Sequence, residues 1–343
     1  MSFMERNLVA RAVAGAGSLT LWMALALAAA QAQDKIYVMK VTLPTLGDPS
    51  YQFAKNYAAA LERDSGGRIK PAIYPASQLG SIPRQIEGTQ FGAIQCAVIP
   101  PEFFVGVDER FELMAAPGLV DSMQHAQHLA ADAQVRKLML GLGADKGLHG
   151  VGLFMNSPSS LIAKAPIRRL ADFKGKKIRV FASQFQTVAF ERLGATPVAM
   201  TLGDVLPAIQ QGAIDAAVGG IVVFTPMHFQ DAARYVTETG QPTVFAIAEV
   251  NKKWYDSLPA DLQQIVDRDA ATEAAAINPL AIEIIDKARK GWTDSGGELI
   301  SLPPDEQAAM MTTLSSVGED VSKSRPALAQ AYKLMTDAAR QTR

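Results

Sequence analysis

Two stretches of the chain are almost the same: residues 90–98 read QFGAIQCAV and residues 210–218 read QQGAIDAAV. In each, a helix-forming segment ends at a glycine, Gly92 or Gly212, and an apolar run follows. Glycine is common after a helix because it adopts the left-handed conformation without strain. An apolar run of this kind is typical of a strand covered on both faces. The repeat predicts two halves of similar α/β design, although ordinary strand and helix chemistry is an alternative source of the likeness.

Strand and helix patterns alternate around both repeats, as in parallel sheets built from βαβ units. The first half has the predicted order strand 35–43, helix 51–63, strand 69–74, helix 83–90 and strand 93–99. The second half has the predicted order strand 178–181, helix 186–193, strand 196–200, helix 206–211 and strand 213–218. We therefore expect an α/β protein of two lobes that closes on a ligand in the cleft between them.

The C-terminal third is mainly helical. Residues 261–290 form one long apolar-periodic run that contains Pro279. A proline inside a helix removes a hydrogen bond and kinks the helix, so we expect a long kinked helix that spans both lobes. Pro303 and Pro304 begin a final helical pair that runs to Arg343.

The first 32 residues have the pattern of a secretory signal peptide. Arg6 and Arg11 precede an apolar stretch that is densest at 19–30, and an A-x-A cleavage signal ends at Ala32. An N-terminal membrane anchor is the alternative, although the dense apolar core is short for a membrane span. We therefore predict an exported protein, most simply in a bacterial periplasm, whose mature chain begins at Gln33.

The composition excludes several functional classes. Of the 343 residues, 48% are hydrophobic and 20% are charged, as in globular proteins. The formal net charge is −1, whereas nucleic-acid-binding domains carry a basic surface, so we expect no nucleic-acid partner. Cys96 is the only cysteine in the sequence, which excludes an internal disulfide and any metal site made of cysteines alone.

No catalytic or cofactor-binding motif is present in the sequence. It has neither a G-x-S-x-G elbow nor a P-loop, and the Gly141-Leu-Gly143 segment lacks the glycine spacing of a dinucleotide site. His125 and His128 share one predicted helix face, but a transition metal needs three or four ligands and no H-E-x-x-H pattern follows. We expect no enzymatic activity, no cofactor and no metal.

Several longer stretches resemble the solute-binding proteins of TRAP transporters, the DctP-like family. The family's patterns LKGLKIRV, LGA-P-PM and LQ-G-(V/I)-D-G have similar counterparts here in the segments PIRRLADFKGKKIRV (166–180), ERLGATPVAM (191–200) and AIQQGAIDAA (208–217). Two more stretches resemble the family, SGGRIKPAIYPASQLGSIPRQIEGTQFGAI (65–94) and VNKKWYDSLPADLQQIV (250–266). The resemblance covers residue 35 to about residue 297, with the motifs in the family's order.

This resemblance implies an extracytoplasmic receptor that is not an enzyme. Members of the family capture a small organic acid by closing two α/β lobes, and they deliver it to a membrane permease with a small and a large subunit. The resemblance implies the same partners here, and a two-lobed clamp of the type II periplasmic-binding-protein kind. We place lobe one at 33–155 plus 244–284 and lobe two at 156–243 plus 285–343, and we expect a monomer.

Arg179 is the first site residue that the resemblance assigns. In the family, the arginine of the matching strand forms a bidentate salt bridge with the substrate carboxylate. Ile178 and Val180 predict a buried strand, and ligands of open α/β sheets bind beyond the carboxyl ends of strands. A guanidinium in such a cleft offers two parallel donors to a carboxylate. The alternative is a surface base that continues the run of Lys174, Lys176 and Lys177.

The remaining candidate ligand-binding residues follow from their places near predicted strand ends. From lobe one, the cleft should be bordered by Pro100, Pro101, Glu102 and Phe103. From lobe two, it should be bordered by Phe181, Ser183, Met200 and Leu202. Many family members have a second arginine where spacing puts Ser159 or Ser160 in this chain. Gly219 and Gly220 stand where many members have larger polar residues, and we expect them to leave room for the ligand.

These departures from the family pattern predict the class of ligand. A second carboxylate would lack a matched guanidinium, and burying an unpaired charge is unfavourable. We therefore expect a monocarboxylate with an apolar or aromatic portion, unless Lys164 or a residue of lobe one supplies a second cation. Two other functions stay open: a binding protein for an ABC permease or a sensor, and an exported α/β hydrolase.

Overall fold

Two mixed β-sheets organise residues 35–343, the part of the chain that the computed structural model describes. The predicted signal peptide, residues 1–32, lies outside the described residues. Residues Val38–Arg343 form one compact unit. We call the part built around the first sheet lobe one and the part built around the second sheet lobe two.

The sheet of lobe one has five strands. They are β1 (Tyr37–Thr42), β2 (Ile69–Tyr74), β3 (Cys96–Ile99), β4 (Leu148–Ser157) and β10 (Val244–Asn251). Their order across the sheet is β2-β1-β3-β10-β4. Strand β1 is parallel to β3, whereas β10 is antiparallel to both β3 and β4. The sheet is packed with α1 (Pro49–Asp64), α2 (Ile82–Phe91), α3 (Met123–Ala131) and α4 (Ala133–Leu140).

The sheet of lobe two has six strands. They are β5 (Ser160–Ala163), β6 (Lys177–Val180), β7 (Thr196–Ala199), β8 (Ala216–Gly219), β9 (Tyr235–Glu238) and β11 (Glu298–Ser301), in the order β11-β9-β5-β8-β6-β7. Strand β5 is antiparallel to both of its neighbours, β8 and β9. Between the strands lie α5 (Gln184–Arg192), α6 (Leu202–Gln210) and the short α7 (Ile221–Phe224).

The alternation of strands and helices predicted parallel sheets, and this prediction is wrong for one strand in each sheet. The chain passes directly from β4 to β5 through residues 158–159, and from β9 to β10 through residues 239–243. Each connection leads into the other lobe without a helix, so β5 and β10 enter their sheets from the other lobe and are not part of βαβ units. The two glycines of the sequence repeat adopt the left-handed conformation, as predicted. Gly92 has φ of 85° after α2, and Gly212 has φ of 72° after α6.

One long helix contacts both sheets. After α8 (Lys252–Asp256), helix α9 (Ala260–Asp294) runs through Pro279 and packs against β4 and α1 of lobe one and against α7 and β11 of lobe two. Its buried residues recur every three or four positions, from Leu262 to Trp292. This apolar stripe along the whole helix explains why one element serves both lobes.

The chain ends in three helices rather than the predicted pair: α10 (Pro304–Leu314), α11 (Val317–Ser322) and α12 (Pro326–Gln341). Helix α11 packs against α5 of lobe two, whereas α12 packs against α3, α4 and the 3₁₀ segment Glu109–Ala115 of lobe one. The chain therefore returns to lobe one at its end. No helix of the described residues is long and apolar enough to cross a membrane.

Candidate functional site

A cleft lies where the carboxyl ends of strands from both sheets meet. It contains about 510 Å³ of empty space, part of it open to solvent. Its polar lining residues are Thr45, Asp48, Ser50, Asn156 and Arg179. Much of the remaining lining is apolar and includes Pro100, Phe103, Phe181, Leu202, Val223 and Phe224. A cleft at the strand ends is the usual ligand site of α/β sheets.

Arg179 lies on β6 and lines the lobe-two side of the cleft, and only 1% of its surface is exposed. Its Nε donates to the carbonyl oxygen of Met200 at 2.9 Å, and its Nη1 donates to that of Val218 at 2.8 Å. Among the described residues no carboxylate pairs with it and Nη2 has no hydrogen-bond partner. Burial lowers the pKa of Arg179 to about 9, so the guanidinium stays charged at neutral pH. Its free N–H groups can bind an anion.

Two aromatic rings, one from each lobe, lie beside the guanidinium of Arg179. The Arg179 Cζ lies 4.6 Å from the ring centroid of Phe181 and 5.9 Å from that of Phe103. The two rings are stacked, with centroids 5.2 Å apart and planes at 29°. Cation–π attraction and ring stacking both favour this arrangement. The cationic group is therefore fixed in place within apolar surroundings.

A hydrogen-bonded network forms the lobe-one side of the cleft. Asp48 caps helix α1, and its Oδ1 accepts hydrogen bonds from the Tyr51 backbone N–H at 3.0 Å and from the Thr45 hydroxyl at 2.8 Å. The Asn156 Nδ2 donates to Asp48 Oδ2 at 2.8 Å and to Ser50 Oγ at 2.7 Å. Burial raises the pKa of Asp48, while the three donated hydrogen bonds oppose that change. The cleft thus contains one buried acidic side chain, Asp48, and one buried cationic side chain, Arg179.

The structure brings six of the eight predicted ligand-binding residues to this cleft. They are Pro100, Phe103, Arg179, Phe181, Leu202 and Gly219. Ser159 and Ser183 do not line it: the Ser159 carbonyl accepts a hydrogen bond from the Gly240 N–H at 3.0 Å, and Ser183 caps α5. Lys164, the proposed second cation, does not line it either, because its Nζ donates to the Gln210 carbonyl outside the cleft.

Gly219 and Gly220 do not leave room for a ligand in the way the sequence suggested. A Cβ atom at Gly219 would lie 2.9 Å from the Phe224 ring, and one at Gly220 would overlap the Ser157 hydroxyl. The space beside both glycines is therefore filled by protein. They permit close packing of α7 and β4 against the end of β8, which shapes the wall of the cleft.

Sequence reasoning missed the polar side of the cleft. Asp48 was not considered as a site residue, although its place shortly after the first predicted strand was a usable signal. Asn156 gave no signal, because β4 is buried along most of its length and was not predicted as a strand.

The comparisons with known proteins identify the family. The family model described as bacterial extracellular solute-binding protein, family 7 (DctP), matches residues 41–324. The chain belongs to this family. Its proteins are solute-binding receptors rather than enzymes, and the resemblance drawn from the motifs is confirmed.

Individual relatives and structures agree with this assignment. The chain is 25% identical over 278 residues to the C4-dicarboxylate-binding periplasmic protein DctP of Rhodobacter capsulatus, covering 80% of this chain and 83% of the relative. It is 26% identical over 255 residues to the 2,3-diketo-L-gulonate-binding periplasmic protein YiaO of Escherichia coli, covering 74% and 77%. A TRAP periplasmic solute-binding protein of Desulfovibrio salexigens with bound orotic acid superposes with a TM-score of 0.84 and 22% identity, covering 90% of this chain and 100% of that one. The two-lobed α/β clamp is the shared fold.

Proposed function

We propose that the protein is the receptor of a TRAP transporter that captures a small monocarboxylate with an apolar or aromatic portion. The observation that carries the proposal is the buried Arg179, which lies beside two stacked aromatic rings with no acid paired to it among the described residues. A buried cation is unfavourable unless it is paired, so an anionic ligand is the expected partner. The named ligands of the three relatives above are organic acids, which supports this class.

The preference for one carboxylate rests on the charges of the cleft. Arg179 and Asp48 are the ionisable residues in its described lining. If the first carboxylate pairs with Arg179, a second would have no guanidinium and would add a like charge to a cleft that already contains Asp48. The apolar lining, including Phe103 and Phe181, favours a ligand with an apolar body.

The remaining features of the proposal come from the family and the sequence. We propose that the receptor works in the periplasm as a monomer, after removal of residues 1–32, and delivers its ligand to the small and large permease subunits. We also keep the lobe boundaries 33–155 plus 244–284 and 156–243 plus 285–343. The strands of the two sheets fall within these ranges except for Asn156 and Ser157, which end β4 of the lobe-one sheet but lie beyond residue 155. Helix α12, which these ranges give to lobe two, packs against α3 and α4 of lobe one.

A thermal-shift screen tests the ligand class. A ligand at 100 times its dissociation constant adds about 2.7 kcal/mol of stability, which is readily measured. Aromatic and branched monocarboxylates should give larger shifts than succinate, malate and fumarate. The opposite order would contradict the monocarboxylate proposal, and mass spectrometry of compounds that copurify with the protein gives an independent answer.

A further inference from the structure

We propose that the ligand carries, besides its carboxylate, a hydroxyl or ammonium group that donates a hydrogen bond to the amide oxygen of Asn156. Asp48 is then a positioning residue that fixes the orientation of this amide. The inference rests on the proposed function, because it assigns the ligand carboxylate to Arg179. It narrows the ligand class to hydroxy- or amino-substituted monocarboxylates.

The amide of Asn156 faces Asp48 with its nitrogen. Burial raises the pKa of Asp48, and the hydrogen bonds that its carboxylate accepts from the Thr45 hydroxyl and the Tyr51 backbone N–H oppose that rise. The structure places the amide nitrogen of Asn156 2.8 Å from Asp48 Oδ2, and the nitrogen donates a hydrogen bond to this oxygen. Its other hydrogen is used by Ser50 Oγ at 2.7 Å.

The amide oxygen of Asn156 is left as an unused acceptor. It has no hydrogen-bond partner among residues 35–343, and both hydrogens of the amide nitrogen are already donated. Asn156 is 4% exposed and lines the cleft. The oxygen is not among the described side-chain atoms that are both fully buried and unpaired, so it can be reached from the cleft. An amide oxygen there can accept a hydrogen bond from a donor group of the molecule that occupies the cleft.

The two sides of the cleft therefore present opposite chemistry. Arg179 offers N–H donors from lobe two, and Asn156 offers an acceptor from lobe one. A ligand that meets both must have an acceptor and a donor, and the apolar lining meets the rest of its surface. A hydroxyl keeps the donor neutral, whereas an ammonium also offsets the nearby charge of Asp48.

The test uses two matched probe series. The first is 3-phenylpropanoate, 3-phenyllactate and phenylalanine, and the second is 4-methylpentanoate, 2-hydroxy-4-methylpentanoate and leucine. Within a series, the body and the carboxylate are constant and only the donor changes. Calorimetry on the full-length mature protein should give at least one donor-bearing member about tenfold tighter binding than the donor-free acid, since a hydrogen bond left unmade at a buried group is worth about that factor. Whether the hydroxy acid or the amino acid of a series binds more tightly shows which donor group the site prefers.

Three variants assign the effect to the proposed atoms. In Asn156→Ala, the donor-bearing probe and the donor-free acid should bind with about equal affinity. Asp48→Asn should give the same result, and it is expected to fold because asparagine is also a good helix N-cap. Gln52→Ala is the control: it removes an amide of helix α1 that contacts Asn56 and does not line this cleft, so the advantage of the donor-bearing probe should remain.

The outcomes separate this inference from the proposed function. Two results would overturn the inference while the proposed function stands. In the first, the acids bind and need Arg179, but the donor-bearing probes bind no tighter than the donor-free acid. In the second, the tighter binding of the donor-bearing probe persists in Asn156→Ala. If no acid of either series binds, both are overturned. A copurifying monocarboxylate without a hydroxyl or amino group would likewise overturn the inference alone.

Discussion

The carboxylate of Glu112 in lobe one accepts a hydrogen bond from the backbone N–H of Gln184 in lobe two at 2.6 Å. Gln184 is the first residue of α5, so the carboxylate lies at the positive end of that helix. The other oxygen of Glu112 accepts a hydrogen bond from Arg325 Nη1 at 2.9 Å, at the start of α12. One buried acid thus joins lobe one, lobe two and the C-terminal helices beside the cleft.

We predict that Glu112→Gln weakens the closed arrangement of the lobes. The neutral amide keeps the shape but loses the charge that interacts with α5 and Arg325, so ligand affinity should fall by about threefold to tenfold. Small-angle scattering at subsaturating ligand should give a larger radius of gyration than for wild type. Glu109→Gln is the control, because Glu109 contacts the same arginine at 3.3 Å but is 41% exposed. Equal effects of both variants would contradict a special role for Glu112.

Substitution of Arg179 should have the largest effect on binding. Arg179→Ala should weaken ligand binding by at least about 2 kcal/mol, because it removes a desolvated, charge-assisted contact. Arg179→Lys should recover only part of this, since an ammonium cannot donate two parallel hydrogen bonds or stack on Phe181 as a guanidinium does. Calorimetry gives both values, and Arg169→Ala serves as the control because the Arg169 side chain is 69% exposed. Unchanged affinity in Arg179→Ala would rule out the carboxylate anchor.

The buried carboxyl group of Glu102 should make the stability of the protein depend on pH. Burial, with a smaller contribution from the charge of Glu112, raises the pKa of Glu102 from 4.5 to about 8, and its Oε2 has no hydrogen-bond partner among the described residues. Between these values the folded protein holds a proton that the unfolded chain has released. The free energy of unfolding should therefore fall as the pH rises from about 4.5 to about 8.

Glu102→Gln should remove most of this dependence. The variant should be more stable than wild type at pH 8 by a few kcal/mol, since one pKa unit corresponds to about 1.4 kcal/mol, and the gain should be much smaller at pH 5. Urea denaturation at the two pH values measures the difference. The charged groups near this carboxyl are Glu112 and, through it, Arg325, so the comparison should be repeated in Glu112→Gln. A gain that is the same at both pH values would show that the effect is not titration of Glu102.

The close packing of Gly220 predicts a stability loss on substitution. Gly220→Ala should lower stability by about 2 kcal/mol, because the new methyl group would overlap the Ser157 hydroxyl in a fully packed region. Adding Ser157→Ala should recover part of the loss. Gly203→Ala is the control, since nothing lies within 4 Å of the Cβ that it would add. Thermal denaturation of the four proteins checks this, and a neutral Gly220→Ala would show that the wall of the cleft can move.

Local patterns in the sequence were enough to predict much of the fold. The strand at residues 69–74 was predicted with the bounds that the structure gives, and helix α2 differs by one residue at each end. Strands β4 and β10 were missed because their residues are nearly all buried, so neither shows the alternation that marks a half-covered strand. Their antiparallel pairing also depends on contacts far apart in the chain, which no local pattern encodes.

Part of the candidate site could also be predicted from local sequence patterns, and part could not. Arg179 was found because its strand matches a family motif, and the cleft residues at strand ends followed from the fold. The partners on the other side were not found, because Asp48 and Asn156 are 108 residues apart and only the folded sheet brings them together. Their side chains also had no individual signal, since a helix cap and a strand residue are ordinary features.

The unpaired guanidinium in the cleft also affects how long the protein survives. A cation buried without an acid destabilises the empty receptor, and an arriving anion relieves that cost while adding its own binding energy. The occupied form therefore unfolds less often, and proteases that attack opened chains degrade it more slowly. A cell that lacks the solute would lose this receptor faster than one that is well supplied, so the abundance of the receptor would follow the nutrient without any change in gene expression.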